Sequence, residues 1–296
     1  MFKFTPTMIV LPIVALLIGV FVLAEGSIPG NVLYGLKTKI AEPMAGIFSI
    51  DKEEQVEWDE RLIERRLKEV EKLVAKNKLN ETSRITINES LKNRTESFIF
   101  NVQNLVNEKK DITEITDLKL RLEAVLSAYQ NILSNLSLNE GVGENTKKEV
   151  ELLIATLKVY EVNIKSNREN TENELVVNED GTIANTNIPL SSASVHEKQI
   201  EAEETLNGAK LLYQKNKVKF PITVQVEIDT RFAEAEKLLL EANVFDTASD
   251  YINSINTYQK SINLTNEAKL LILTNLIREN IKYKNDTEDE DGEDED

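Results

Sequence analysis

Apolar residues recur at steps of three and four along almost the whole body of the chain, and that period suits a helix and no strand. Over 52–77 the stripe is Val56, Ile63, Leu67, Val70 and Val74, widened by Trp58, Leu62 and Leu73. Leu91, Phe98, Val102 and Leu105 repeat it over 83–108, and Leu118, Leu122, Val125, Tyr129, Ile132 and Leu136 over 114–137. Val150, Leu153, Leu157, Tyr160 and Ile164 continue it over 145–166. Short gaps between these stretches make neighbours antiparallel, so four stripes facing inward form one bundle with coiled-coil-like packing. Breakers are scarce, with 10 Gly and 6 Pro in 296 residues, which favours long helices over a turn-rich β fold.

Residues 166–193 are dominated by Asn, Glu, Thr and Ser and read as a polar linker. A small hairpin around Val176-Val177 and Ile183, turning at Asn178-Glu179-Asp180-Gly181, is the other reading. Helical patterning returns after Ser194 in four stripes. They are Ile200/Leu206/Ala209/Leu212, Phe232/Ala235/Leu239/Ala242, then Phe245/Ala248/Ile252/Ile255/Tyr258/Ile262, and a last one over 264–283. The alanines predict close helix–helix approach. The fold class is therefore all-α, with a bundle over 28–165 and a second helical hairpin or bundle over 194–284.

Ahead of the bundle, Thr5 to Ala24 carries no charged residue. Twenty residues of helix span about 30 Å, the thickness of a bilayer core. The segment is expected to be a transmembrane signal anchor. The alternative is a signal peptide cleaved after Val22-Leu23-Ala24, which would release a secreted protein. With only Lys3 and the α-amino group before the apolar run, the bulk of the chain is expected outside the cell, although Lys37 and Lys39 weigh against that orientation.

Immediately after the apolar run, Pro29-Gly30 breaks the chain. A short amphipathic helix follows over 32–48, with Leu33, Leu36, Ile40 and Met44 as its apolar stripe and Pro43 interrupting it. Asp51 is placed to cap the next helix. Pro29-Gly30-Asn31-Val32-Leu33-Tyr34-Gly35-Leu36-Lys37, then Glu42-Pro43, Trp58 and Glu64-Arg65-Arg66-Leu67-Lys68-Glu69, together resemble a bacterial family of extracytoplasmic helical domains of unknown function, of the candidate-phylum type. Its members follow a signal or anchor segment with a Pro-Gly-x-x-x-Tyr-x-x-Lys motif and a long Arg-Arg-Leu-x-Glu-like helix. The resemblance spans roughly 28–137. It departs at Ile63, where the family often has Ala. It implies location and fold and carries no activity.

Within the motif, Pro29 and Gly30 would turn the chain off the membrane. Tyr34 would suit the lipid interface, and Lys37 would pair with lipid phosphate or with Glu42. The competing reading packs Tyr34 and Leu33 onto the bundle. Arg65 and Arg66 read as exposed members of i,i+4 pairs.

Composition removes several chemistries. The chain has no Cys, so disulfides, zinc–thiolate sites and thiol nucleophiles are excluded. His196 is its only histidine, at the edge of the polar linker. Neither a dinucleotide-binding nor a phosphate-binding glycine loop is present. Carboxylate pairs such as Glu53/Glu54 and Glu203/Glu204 fall on solvated helix faces. Sequons such as Asn80-Glu81-Thr82 and Asn93-Arg94-Thr95 are assigned no role. The net charge is −16, but nine acids and no base lie in 285–296, a tail that self-repulsion should keep disordered. Asp289, Asp291 and Asp294 around Gly292 lack a full calcium-loop pattern. The rest has 42 acids against 35 bases and no basic stripe, which excludes a nucleic-acid role.

The expected role is a membrane-tethered extracytoplasmic scaffold or partner-binding protein. Its partners would be the lipid bilayer and an envelope protein, with no enzyme activity, cofactor or metal. The alternatives are a sensor or chaperone-like binder of an apolar or peptide ligand between the two helical halves, and an enzyme using carboxylates alone.

Overall fold

The computed structural model describes residues 24–46, 51–108, 110, 112–139, 141–173 and 191–290. Apart from Ala24, the apolar segment 5–24 lies outside them, as do the hairpin or linker at 174–190 and residues 291–296 of the acidic tail. Among the described residues no helix is long and apolar enough to cross a membrane.

Eight helices and no strand occur among the described residues. α1 is a composite of Tyr34–Leu36, a π-helical turn Lys37–Ala41 and Glu42–Gly46. α2 is Lys52–Ala75, α3 Glu81–Asn107, α4 Ile112–Ser137 and α5 Glu144–Asn173. α6 is Ser192–Asn216, followed by a 3-10 turn Lys217–Lys219, α7 Ile222–Thr247 and α8 Tyr251–Glu290. Packing divides the chain into two compact units. The first is Met1–Asn104 with Leu136–Leu153, and the second is Leu105–Asn135 with Ile154–Asp296. Residues 28–165, read from the sequence as one bundle, are shared between them.

In the first unit the core is the one the stripes mark. Val56, Ile63, Leu67, Val70 and Val74 of α2 are all fully buried, against Leu91, Phe98 and Val102 of α3. Burial of each such side chain contributes about 1.5–3 kcal/mol. The helix ends are set locally. Asp51 is extended and its carboxylate accepts the Glu54 N–H at 2.8 Å. Replacing Asp51 with Ala should cost about 1 kcal/mol in denaturant titration. Just past the Lys76 C-cap of α2, Asn77 has φ +51, and Lys78 N–H donates to the Leu73 carbonyl while Asn77 N–H donates to Val74. That is the six-to-one and five-to-two pattern of a left-handed C-cap. Asn80 and Ser83 then cap α3 reciprocally, each side-chain oxygen accepting the other's backbone N–H.

The second unit departs from the sequence reading in three places. α5 runs to Asn173, past the expected end at 166. Arg168 and Thr171 are buried there, Arg168 on Glu123 at 2.7 Å and Thr171 accepting from Lys119 at 2.6 Å. The stripe read over 245–262 is split: Phe245 lies in α7 and Ala248 in the turn after it, while Ile252, Ile255, Tyr258 and Ile262 share one 40-residue helix with 264–283, because nothing between 262 and 264 breaks it. That helix carries on through 285–290, the start of the stretch read as a disordered tail. On α6, Ile200 is exposed, and Val195, Ala202, Leu206, Ala209 and Tyr213 form the buried row instead.

The alanine expectation for α7 is met in detail. The Ser254 hydroxyl of α8 donates to the Ala242 carbonyl at 2.9 Å. Seven residues later, the Ser261 hydroxyl donates to Ala235 at 2.8 Å. Seven forward on one helix matches seven back on the other, so the two are antiparallel. A side-chain hydroxyl reaches another helix's backbone only where both flanking residues are small. Val195, Ala202, Ile255, Tyr258 and Ile262 complete this cluster.

Candidate functional site

The sequence motif at 29–37 leads to a buried polar cluster in the first unit. Gly30 has φ +94, a conformation that suits glycine, and it lets the chain turn back so that Asn31 N–H donates to Ile28 and Tyr34 N–H to Asn31. In a regular α-helix, Lys37 and Glu42 would point about 140° apart around the axis. The π turn Lys37–Ala41, closed by Glu42 N–H on the Lys37 carbonyl, reduces that angle and brings both onto the face that meets α2. Pro43 has no N–H to offer the Lys39 carbonyl, so the regular ladder is already broken at this point. The helix nonetheless continues through Pro43 to Gly46.

The packed face of α1 is therefore its polar one. Tyr34, Lys37 and Glu42 are buried, whereas Ile40 and Met44, expected to face the bundle, are about half exposed. Opposite them on α2 lie Arg66, fully buried, and Glu69, 3 % exposed. Lys37 Nζ donates to Glu69 Oε1 at 2.6 Å and to the Ser27 carbonyl at 3.1 Å. Arg66 Nη1 reaches both Glu69 oxygens at 2.5 and 2.6 Å and donates to the Tyr34 hydroxyl at 3.0 Å. Tyr34 donates in turn to Glu69 Oε2 at 3.0 Å, and Arg66 Nη2 donates to Glu42. The Arg66 guanidinium also stands 5.5 Å from the Tyr34 ring centroid. Two cations, two carboxylates and one phenol thus close a neutral network.

Burial, followed by the Glu69 charge, pushes the Tyr34 phenol well above its ordinary value, so it stays a neutral donor. Burial works against the Arg66 charge, but the Glu69 and Glu42 carboxylates outweigh it and hold the guanidinium more firmly protonated than usual. Lys37 is buried and pairs with Glu69, not with Glu42. Arg66 is no exposed i,i+4 partner; it is the centre of the cluster. Arg65 beside it bridges Glu25 at 2.8 Å and Glu42 at 3.4 Å.

Below the cluster, Asp59 is buried and accepts from Ser97 at 2.6 Å, Arg94 at 3.2 Å and Asn101 at 3.2 Å. Burial raises its carboxyl, against the pull of Ser97 and Arg94. Two shallow grooves flank it. One, of about 470 Å³, lies among Thr38, Lys39, Glu42, Glu89, Asn93 and Arg94. The other, of about 270 Å³, lies among Pro43, Gly46, Gln55, Trp58 and Asn101. Trp58 seals the end of α1, and a Cβ on Gly46 would sit 2.9 Å from its Nε1. Gly46→Ala should move the emission of the chain's only tryptophan and cost about 1 kcal/mol. Overpacking of about 1–3 kcal/mol exceeds the gain of about 1 kcal/mol from a better helix former.

The second unit holds another buried carboxylate. Glu267 Oε2 of α8 accepts from Arg231 Nε of α7 at 3.0 Å and from the Ser127 hydroxyl of α4 at 3.1 Å. Burial drives it up to about 7, against Arg231 and Ser127. The other candidates stay at the surface. His196 and Glu203/Glu204 are exposed, and Glu53 is partly exposed beside an exposed Glu54. Among the described residues, no three His, Cys, Asp or Glu side chains converge as a metal set would require. No family model matches the chain, and neither does any curated protein or solved structure.

Proposed function

We propose that the chain is a membrane-tethered, extracytoplasmic helical scaffold or partner-binding protein whose body is coupled stiffly to its anchor. The observation that carries this reading is where the apolar run ends. Ala24, its last residue, is fully buried, and Ser27 and Ile28 are buried after it. Ser27 returns both its N–H and its hydroxyl to the Ala24 carbonyl, at 3.0 and 2.6 Å. Lys37 holds the Ser27 carbonyl, and Glu25 is held by Arg65. No free linker separates Ala24 from the helical body, so a force or displacement at a partner would reach the membrane without slack.

Retention of the segment, rather than cleavage after Ala24, is part of the proposal. The function needs no catalysis, cofactor or metal, and its partners are the bilayer and an envelope protein. Kinship with the extracytoplasmic family that the Pro29-Gly30-x-x-x-Tyr34-x-x-Lys37 motif resembles is part of the proposal.

The test is the full chain expressed in bacteria. It should resist carbonate extraction, keep the mass of the uncleaved polypeptide, and have body lysines labelled by a membrane-impermeant amine reagent on intact cells. Extraction by carbonate would refute the tether, and unlabelled lysines the orientation.

A further inference from the structure

The solvent face of α7 has a pattern that reads the same in both directions. Ile222, Val226, Asp229, Ala233, Lys237, Leu240 and Val244 are all exposed and follow at steps of 4, 3, 4, 4, 3 and 4. This is one row of the helix, since such steps keep residues on one face. Its four large apolar members are between 60 % and 72 % exposed, two at each end of the row, on the outside of a helix whose opposite face already carries the core. Soluble helices seldom spend four large apolar side chains this way without a partner.

The chemistry of the row is symmetric about Ala233. Eleven residues to either side stand Ile222 and Val244, both apolar. Seven to either side stand Val226 and Leu240, again apolar. Four to either side stand Asp229 and Lys237, opposite in charge. The smallest side chain is at the centre, where two helices would come closest.

We infer that this face is an isologous interface for a second copy of the chain, with the two α7 helices packed antiparallel about a two-fold axis at Ala233. In that arrangement each Ile222 lies level with the partner subunit's Val244, each Val226 with the partner subunit's Leu240, and each Asp229 with the partner subunit's Lys237. The contact spans about 33 Å of helix. A two-fold axis makes every favourable level occur twice. A parallel pair in register would set Asp229 against Asp229 and Lys237 against Lys237, so the charges select the antiparallel form. Lys217 already meets Asp229 within the chain at 3.0 Å, but that pair is about half exposed on both sides and holds only one carboxylate oxygen. The inference does not depend on the membrane tether and deepens the scaffold reading by supplying a way to assemble.

Because the chain has no cysteine, introduced ones report without background. In the full chain under copper–phenanthroline oxidation, Val226→Cys/Leu240→Cys should form disulfide-linked dimers, and Ala233→Cys alone should do so too. Val226→Cys alone should not, because the two copies of residue 226 would be about 21 Å apart along the axis. Sedimentation of the native-sequence chain in detergent should show a dimer. Leu240→Arg should make it monomeric with unchanged helical content, and Lys237→Glu should weaken it by about tenfold by turning two attractions into repulsions. Cross-linking of Val226→Cys as efficient as that of the double variant would overturn the antiparallel register. A helical chain that stays monomeric and uncross-linked in every variant would overturn the interface, leaving the face to another part of this chain or to a different protein.

Discussion

Glu69→Leu should destabilise the first unit by about 3–5 kcal/mol, the cost of breaking a buried ion pair from one side. Glu69 is where the network's charges meet: Lys37, Arg66 and Tyr34 all bond to its carboxylate. Removing it leaves two buried cations with Glu42 as the one remaining carboxylate of the cluster. Water cannot relieve them cheaply, since Lys37 is 2 % exposed and Arg66 not at all. Trp58 lies on the same helix and is the chain's only tryptophan, so its fluorescence in a urea titration reads this unit separately from the second. Glu69→Gln, which keeps shape and an acceptor but drops the charge, should lose less than the leucine. Lys37→Met/Glu69→Leu should be more stable than Glu69→Leu alone, because a cation leaves with its anion and Arg66 keeps Glu42. A loss below about 1 kcal/mol in Glu69→Leu would mean that the cluster is hydrated and its charges screened.

The sequence points at this cluster and misreads it, for a physical reason. The motif residues Pro29, Gly30, Tyr34 and Lys37 stand out through the family resemblance, and Gly30, Tyr34 and Lys37 organise the start of the body. The interface reading of Tyr34 and Lys37 rests on the usual habits of these residues near membranes, whereas the buried Tyr34 fits the competing reading, in which it packs onto the bundle. Leu33, Leu36, Ile40 and Met44 form an apolar stripe on α1 by spacing, although the helix packs through its charges. The missing signal lies on α2. Leu62, Arg66, Glu69 and Leu73 stand at steps of 4, 3 and 4, and all four are buried. Charges at helical spacing inside an apolar row are the mark of a buried network. The π turn that rotates Glu42 into place has no such signature in the residues. Elsewhere the stripes on α2, α3 and most of α4 were legible because large apolar side chains dominate burial there. On α8 they were less so, because Ser254, Ser261, Thr265 and Glu267 are buried too, and hydropathy alone counts them as surface.

Glu267 makes the second unit sensitive to pH, with a sign opposite to ordinary acid denaturation. In the unfolded chain its carboxyl titrates near 4.5, whereas in the folded unit burial raises it to about 7. Between those values the folded state holds the proton that the unfolded state has released. Stability is therefore greatest below about pH 4.5 as far as this group is concerned, and it falls as pH rises through 7. At about 1.4 kcal/mol per pH unit over that window, the loss comes to about 3 kcal/mol. The groups facing Glu267 set the balance: Arg231 and Ser127 favour the carboxylate, while burial and the nearby Glu161 charge oppose it. Asp117 in the same unit is also raised by burial, against Lys198 and Arg121 and with the nearby Glu201 charge, and adds a slope of the same sign. Glu267→Gln isolates the larger contribution, since the amide oxygen can still accept from Ser127 and no proton is exchanged. Hydrogen exchange at the α8 amides from Ser254 to Leu271, measured from pH 4 to pH 8 and corrected for intrinsic rate, should show protection falling with pH in the native sequence. Across pH 4.5–7 the Glu267→Gln variant should hold its protection more nearly constant, so that the difference between the two grows by about 3 kcal/mol. Parallel profiles would mean that Arg231, at 3.0 Å, keeps the carboxylate ionised throughout and that the ion pair prevails over burial.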